Sequence, residues 1–71
     1  MKMTFAEKVR LAMSRKGMQM GNLAEATGQT RQNLSNKMSR GNFTEKDMEK
    51  IAEALGCSIE IKLVFPDGNE I

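Results

Sequence analysis

The stretch that decides the fold is ATGQTRQNLSNKM, residues 26–38. It contains Gly28, then Thr30, a residue type that often begins a helix, and then a polar segment in which only Leu34 and Met38 are apolar. A helix that served solubility alone would favour Glu, Lys and Ala, which form helices better than Asn or Ser. The pattern therefore predicts a short helix after Thr30 whose exposed amides serve binding.

Three more helices are expected around this one. A Thr-x-x-Glu capping box at Thr4 precedes apolar residues at helical spacing, and Thr44 begins a second such pattern. Glycines follow the apolar runs and mark helix ends. The sequence predicts a single domain with four helices, at about residues 4–16, 20–27, 31–38 and 44–56.

The last residues change period. In SIEIKLVFPDGNEI, Ile59, Ile61, Leu63 and Phe65 alternate with Ser58, Glu60, Lys62 and Val64, which predicts a β-strand or short hairpin within residues 58–71. Residues 66–68 supply turn chemistry, but the return segment is too short to pair the whole strand. The strand could pair with that segment, with the N-terminal MKMT or with a second copy.

Composition excludes several classes of function. The chain has 71 residues, one Cys and no His, so an intrachain disulfide and His-dependent catalysis are excluded. No carboxylate spacing indicates a metal site, and no apolar run is long enough to span a membrane. We expect a cytoplasmic protein that is not an enzyme, with no cofactor, no metal, no membrane partner and no evident small-molecule ligand.

Charge is divided unevenly along the chain. Residues 1–43 contain eight Lys and Arg against two acids, a net of +6, whereas residues 44–71 contain three Lys against seven acids, a net of −4. This asymmetry favours a polyanionic partner for the first half. The alternative is that the two halves attract one another or a neighbouring copy.

The central helix has side chains suited to base edges in duplex DNA. On a helical wheel Gln32, Asn33 and Asn36 lie opposite Leu34 and Met38. Arginine can pair with guanine, and Asn or Gln with adenine, in the major groove. The candidate base-reading residues are Arg31, Gln32, Asn33 and Asn36; Ser35, Lys37, Arg40 and Asn42 are candidates for phosphate contacts. The alternative for each is an ordinary solvated surface residue.

Together these motifs resemble a known family. GMQMGNLAEATGQTRQNLSNKMSRGN, followed by DMEKIAEALGCS, is similar to the phage Cro/C1 repressor-like, or Xre-type, helix-turn-helix family of bacterial and phage transcription regulators. The resemblance covers about residues 5–57. It implies a dimeric DNA-binding domain whose TRQNLSNKM helix enters the major groove. It also implies that Gln19 and Asn22 meet a phosphate, and that Thr30 caps its helix and contacts the DNA backbone.

The chain departs from that family at several positions. Met20 stands where the family often has Gln, and Met13 and Met38 stand where many members have a buried Arg–Glu pair. Met38 also follows Leu34 by four residues, where three is common. The usual fifth helix is replaced by a strand, as in the Cro type, in which C-terminal strands of two subunits pair.

The expected fold is therefore mostly α, a lambda-repressor-like helix-turn-helix bundle of four helices with a Cro-like C-terminal β-strand or short hairpin. The expected function is sequence-specific binding of double-stranded DNA, as a repressor that acts as a homodimer on a short pseudo-palindrome. The dimer strand would contain Ile59, Ile61, Leu63 and Phe65. The alternative is an antitoxin-like or adaptor module whose main partner is another protein, favoured by the acidic second half and the exposed edge strand.

Overall fold

The computed structural model describes residues 3–71 and is mostly helical. Its four helices are α1 (Phe5–Lys16), α2 (Met20–Ala26), α3 (Arg31–Arg40) and α4 (Glu45–Ala54). The four predicted helices are confirmed, with ends within about two residues of those expected from caps and glycines, the usual uncertainty of helix ends.

Threonine hydroxyls begin three of the helices. Thr4 accepts a hydrogen bond from the Glu7 N–H, Thr30 from the Asn33 N–H and Thr44 from the Asp47 N–H, at 3.0–3.1 Å. The carboxylates of Glu7 and Asp47 in turn accept hydrogen bonds from the backbone N–H groups of Thr4 and Thr44. Each cap satisfies N–H groups that the first helical turn leaves unpaired, which fixes where the helix begins.

One apolar core joins the four helices. Its buried members are Val9, Met13, Leu23, Ala24, Leu34, Met38, Ile51 and Leu55. The rings of Phe5 and Phe43 meet edge to face with centroids 4.9 Å apart, which ties α1 to the loop after α3. The two apolar residues of α3 are both core residues, and the rest of that helix is exposed except for the half-buried Lys37.

A tight turn joins α2 to α3. Gly28 has φ +71°, a left-handed conformation in which side chains with a Cβ are strained. Its N–H donates to the Glu25 carbonyl at 3.1 Å, and the Gln29 N–H donates to the Ala24 carbonyl at 3.0 Å. This pair of bonds is a Schellman motif, and it fixes the start of α3 relative to the end of α2.

The C-terminal segment differs from the prediction. No strand forms over residues 59–65 of the described chain; an isolated antiparallel bridge joins Val64 to Glu70. The chain does reverse at the predicted turn, where Leu63 and Ile71 exchange backbone hydrogen bonds of 2.7 and 3.0 Å. Because so few residues follow the turn, the return segment cannot pair the residues before Leu63, and the predicted strand is not seen within the described residues.

The molecule is longer than a compact chain of its size. Its radius of gyration is 13.3 Å and its extents are 42 × 22 × 22 Å, whereas a compact domain of this length has a radius of gyration of about 11 Å. No helix within residues 3–71 has the length and apolar character needed to cross a bilayer.

Candidate nucleic-acid interface

Helix α3 presents an unbroken polar face to solvent. Leu34 and Met38 are 0% and 4% exposed, whereas Gln32, Asn33 and Asn36 are exposed. Residues three and four apart are neighbours on a helix surface, so these three amides form one patch. We call it the amide face.

The side chain of Arg31 adds a cation beside the amide face. Arg31, Gln32 and Ser35 line a shallow cleft together with Met20, the first residue of α2. Met20 also packs against the core, so the lining of this cleft includes an apolar side chain. Arg31 is exposed and makes no ion pair within residues 3–71, so its guanidinium can bind a guanine base or a phosphate.

Hydrogen bonds within the protein orient Asn33. Its backbone N–H is capped by Thr30, and its side-chain Nδ2 donates to Gln29 Oε1 at 3.0 Å. Gln29 Nε2 in turn donates to Thr27 Oγ1 at 2.8 Å. The sequence did not lead us to predict Gln29 as a partner of Asn33. The available signal was the spacing, since Gln29 lies four residues before Asn33 and just before the first residue of α3.

The start of α2 lies near the same cleft. The Gln19 N–H donates to Asn22 Oδ1 at 3.0 Å. Because the oxygen of the Asn22 amide is used in this way, its NH2 group is the end that remains for a phosphate oxygen. Gln19 and Asn22 are both exposed.

Lys37 is engaged within the protein. Its Nζ lies 3.0 Å from Asp47 Oδ1, and the two side chains are 27% and 23% exposed. The pKa of Asp47 lies below its usual range. The hydrogen bond from the Thr44 backbone N–H is the largest cause, and the hydrogen bond from the Lys37 ammonium is the next largest. Lys37 therefore ties α3 to the first turn of α4, a partner that sequence reasoning had not assigned to it.

The remaining candidates for phosphate contacts are exposed at the edges of α3. Thr30, Ser35, Arg40 and Asn42 all lie at the surface, and Arg40 makes no ion pair in the described part of the chain. Within residues 3–71, no group of three or more Cys, Asp or Glu side chains is placed to hold a metal ion.

Large apolar side chains lie exposed on the C-terminal segment. Ile61, Leu63, Val64 and Phe65 are 57%, 65%, 64% and 47% exposed. Ile59 is half-buried and lines a groove with residues of α1 and α4. Monomeric proteins rarely expose large contiguous apolar patches, and these four apolar side chains follow one another closely in the sequence.

Comparison with known proteins gives one match. A family model described as "Domain of unknown function (DUF6471)" matches residues 2–59, most of the chain. No curated protein and no solved structure matches the chain.

Proposed function

The chain therefore belongs to that family, whose description assigns no function, and we propose that it is a sequence-specific regulator that binds double-stranded DNA. In this proposal α2 and α3 form a helix-turn-helix of the Cro/C1 type, and α3 enters the major groove. The protein acts as a homodimer and represses transcription from a short pseudo-palindromic site.

The observation that carries the proposal is the amide face. A helix held to the core by Leu34 and Met38 exposes Gln32, Asn33 and Asn36 on its far side, with Arg31 in its first turn. The major groove is about 12 Å wide and admits one α-helix, and its base edges pair with amide and guanidinium groups. A helix face that served solubility alone would favour Glu, Lys and Ala over Asn at these positions, because they form helices better.

The surroundings of α3 support contacts to the DNA backbone. The exposed Arg40 and Asn42 follow the amide face along the chain and Thr30 precedes it. Asn22 lies in the first turn of α2, whose first residue, Met20, shares a cleft with Arg31. Phosphate contacts fix a reading helix in register but carry no sequence information. Basic residues are concentrated in the first 43 residues, the part of the chain that includes α1–α3.

The C-terminal segment supports a dimer. The apolar side chains of Ile61, Leu63 and Phe65 are exposed, and residues 58–62 have no partner strand in the described chain. Pairing with the same segment of a second copy would satisfy these backbone groups and cover the side chains. Such a dimer would place two copies of α3 about 34 Å apart, one turn of duplex DNA.

A salt titration tests DNA binding. The affinity of the wild-type chain for a fluorescent duplex of random sequence is measured between about 50 and 200 mM salt. We expect log K to fall with log salt with a slope steeper than about −2, because several phosphate contacts release counterions. No binding, or a shallower slope, would contradict the proposal.

The exposed apolar segment also favours a second function, in which the main partner is another protein. In that case the chain is an antitoxin-like or adaptor module that uses Ile61 to Phe65 for the contact. A stoichiometric complex with a different protein, together with absence of salt-dependent duplex binding, would support this function over the first.

A further inference from the structure

We propose that Thr27 and Gln29 are positioning residues that set the polarity of the Asn33 amide, so that Asn33 selects adenine over guanine. The proposal rests on the DNA-binding function proposed above. It adds two residues outside α3 to the determinants of specificity, and it assigns a base to one position of the site.

Two backbone carbonyls set the direction of the first hydrogen bond in this network. The Thr27 hydroxyl lies 2.9 Å from the Leu23 carbonyl oxygen and 3.0 Å from that of Ala24. A carbonyl can only accept a hydrogen bond, so the one hydroxyl proton of Thr27 must be directed to this pair. Thr27 Oγ1 can therefore only accept from any other neighbour.

Thr27 in turn fixes the orientation of the Gln29 side-chain amide. Its side chain lies 2.8 Å from Thr27 Oγ1, so the end that faces Thr27 must be the donating NH2 group. The other end, Oε1, faces Asn33 and accepts from Asn33 Nδ2 at 3.0 Å. The orientation of both amides thus follows from the direction of a helix backbone.

The backbone at both ends of this chain of bonds is also fixed. The Gln29 N–H donates to the Ala24 carbonyl, and the Asn33 N–H donates to Thr30 Oγ1, each at 3.0 Å. Thr27 and Gln29 are half-buried, so their mutual bond is partly shielded from water. The Gln29–Asn33 bond lies at the exposed surface. It favours one orientation of the Asn33 amide before DNA arrives.

The bonds leave Asn33 with one N–H and its Oδ1. Adenine offers an acceptor at N7 and a donor at N6, which match this pair. Guanine offers acceptors at both N7 and O6, so Oδ1 of Asn33 would face a second acceptor. An amide free to rotate could turn its NH2 group toward O6, but that rotation breaks the bond to Gln29.

The test measures base preference by selecting duplexes from a randomised pool with wild type, four single variants and one double variant of the full chain. Asn33→Ala identifies the position at which Asn33 acts. Thr27→Val removes the hydroxyl with little change in volume, Thr27→Ser keeps it, and Gln29→Leu breaks both side-chain bonds. Thermal unfolding of each variant shows that it is folded.

At the Asn33 position we expect wild type to prefer adenine. We expect Thr27→Val and Gln29→Leu to lower the adenine-to-guanine ratio by roughly three- to tenfold, the change that corresponds to losing one hydrogen bond. Thr27→Ser should keep the wild-type ratio. In the Asn33→Ala background, Thr27→Val should change nothing at that position, a coupling that a merely structural role would not produce.

Failure of the proposed function and failure of the positioning role give different results. If wild type enriches no sequence, the proposed function fails. If wild type shows an Asn33-dependent position whose adenine-to-guanine ratio is unchanged in Thr27→Val and Gln29→Leu, DNA reading stands and the positioning role of Thr27 and Gln29 is overturned.

Discussion

Arg31 and Arg40 are two exposed arginines at opposite ends of α3, and we assign them different roles. Arg31 lies beside the amide face, so Arg31→Ala is expected to lose about 1–3 kcal/mol of discrimination at one base pair. Arg31→Lys keeps the charge but loses the bidentate fork, and should lose most of the same discrimination. Equal losses on selected and random duplexes would contradict a base-reading role.

Arg40 is expected to contact phosphate. Arg40→Ala should weaken binding to all sequences alike and reduce the salt slope by about 1. The matched control is Lys46→Ala, which removes an exposed charge from α4 and should leave both quantities unchanged. Affinities for selected and random duplexes, measured over a salt series, check this pair.

At the residue scale, sequence identified what is exposed but not what is bonded. The exposure of Gln32, Asn33 and Asn36 follows from the helical period, which can be read from the spacing of apolar residues in the sequence. The contact of Lys37 with Asp47 spans ten residues and depends on how α3 meets α4. Sequence alone treated Lys37 as a phosphate contact because that packing geometry was unknown.

Gly28, in the turn between α2 and α3, and Gly21, within α2, form a matched pair for substitution. Gly28 has φ +71°, so Gly28→Ala should destabilise the fold by about 1–2 kcal/mol. Gly21 lies within α2, has no positive φ and has open space around it, so Gly21→Ala should stabilise by about 0.5–1 kcal/mol. Denaturant unfolding measures both; the same sign for the two variants would contradict this description of the turn.

The capping of α4 predicts a dependence of stability on pH. The pKa of Asp47 is lowered by the Thr44 backbone N–H and then by Lys37, so its ionised form is favoured in the folded state. The resulting stability is fully present above the unfolded pKa of about 4 and is lost as pH falls through the lower folded value. Glu7, whose pKa is lowered by the Thr4 backbone N–H, contributes with the same sign.

We therefore expect the melting temperature to be level from about pH 7 to 5 and to fall below about pH 4. Asp47→Asn should lower stability at neutral pH and make the acid decline shallower. Glu49→Gln, at an exposed position of the same helix, is the control. An acid decline as steep in Asp47→Asn as in wild type would contradict the role given to Asp47.

At the scale of elements, the four helices formed as predicted, whereas the predicted strand is not seen in the described residues. Thr4, Thr30 and Thr44 each begin a helix as their side chains predict, since capping is a local interaction. The alternation over residues 59–65 is equally local, but a strand exists only when a partner accepts its hydrogen bonds. No segment within the described chain is long enough to be that partner.

For the whole molecule, the exposed C-terminal segment predicts self-association. Leu63→Glu places a charge where an apolar side chain is 65% exposed, and it should shift the protein from dimer to monomer while the helices remain folded. Ser58→Glu, which adds the same charge at an exposed polar position of the segment, should leave the dimer intact. Sedimentation or light scattering over a concentration series gives the mass; a monomeric wild type would contradict the dimer.

The central claim is that the amide face of α3 contacts duplex DNA. The most direct measurement is an NMR titration of the full chain with a selected duplex, following the side-chain NH2 signals of the Asn and Gln residues. We expect those of Gln32, Asn33 and Asn36 to shift or broaden, while Asn69, whose amide is bonded to Asp67 in the C-terminal turn, stays unchanged. If the three α3 signals remain in place while the duplex binds, the amide face is not the surface that reads DNA.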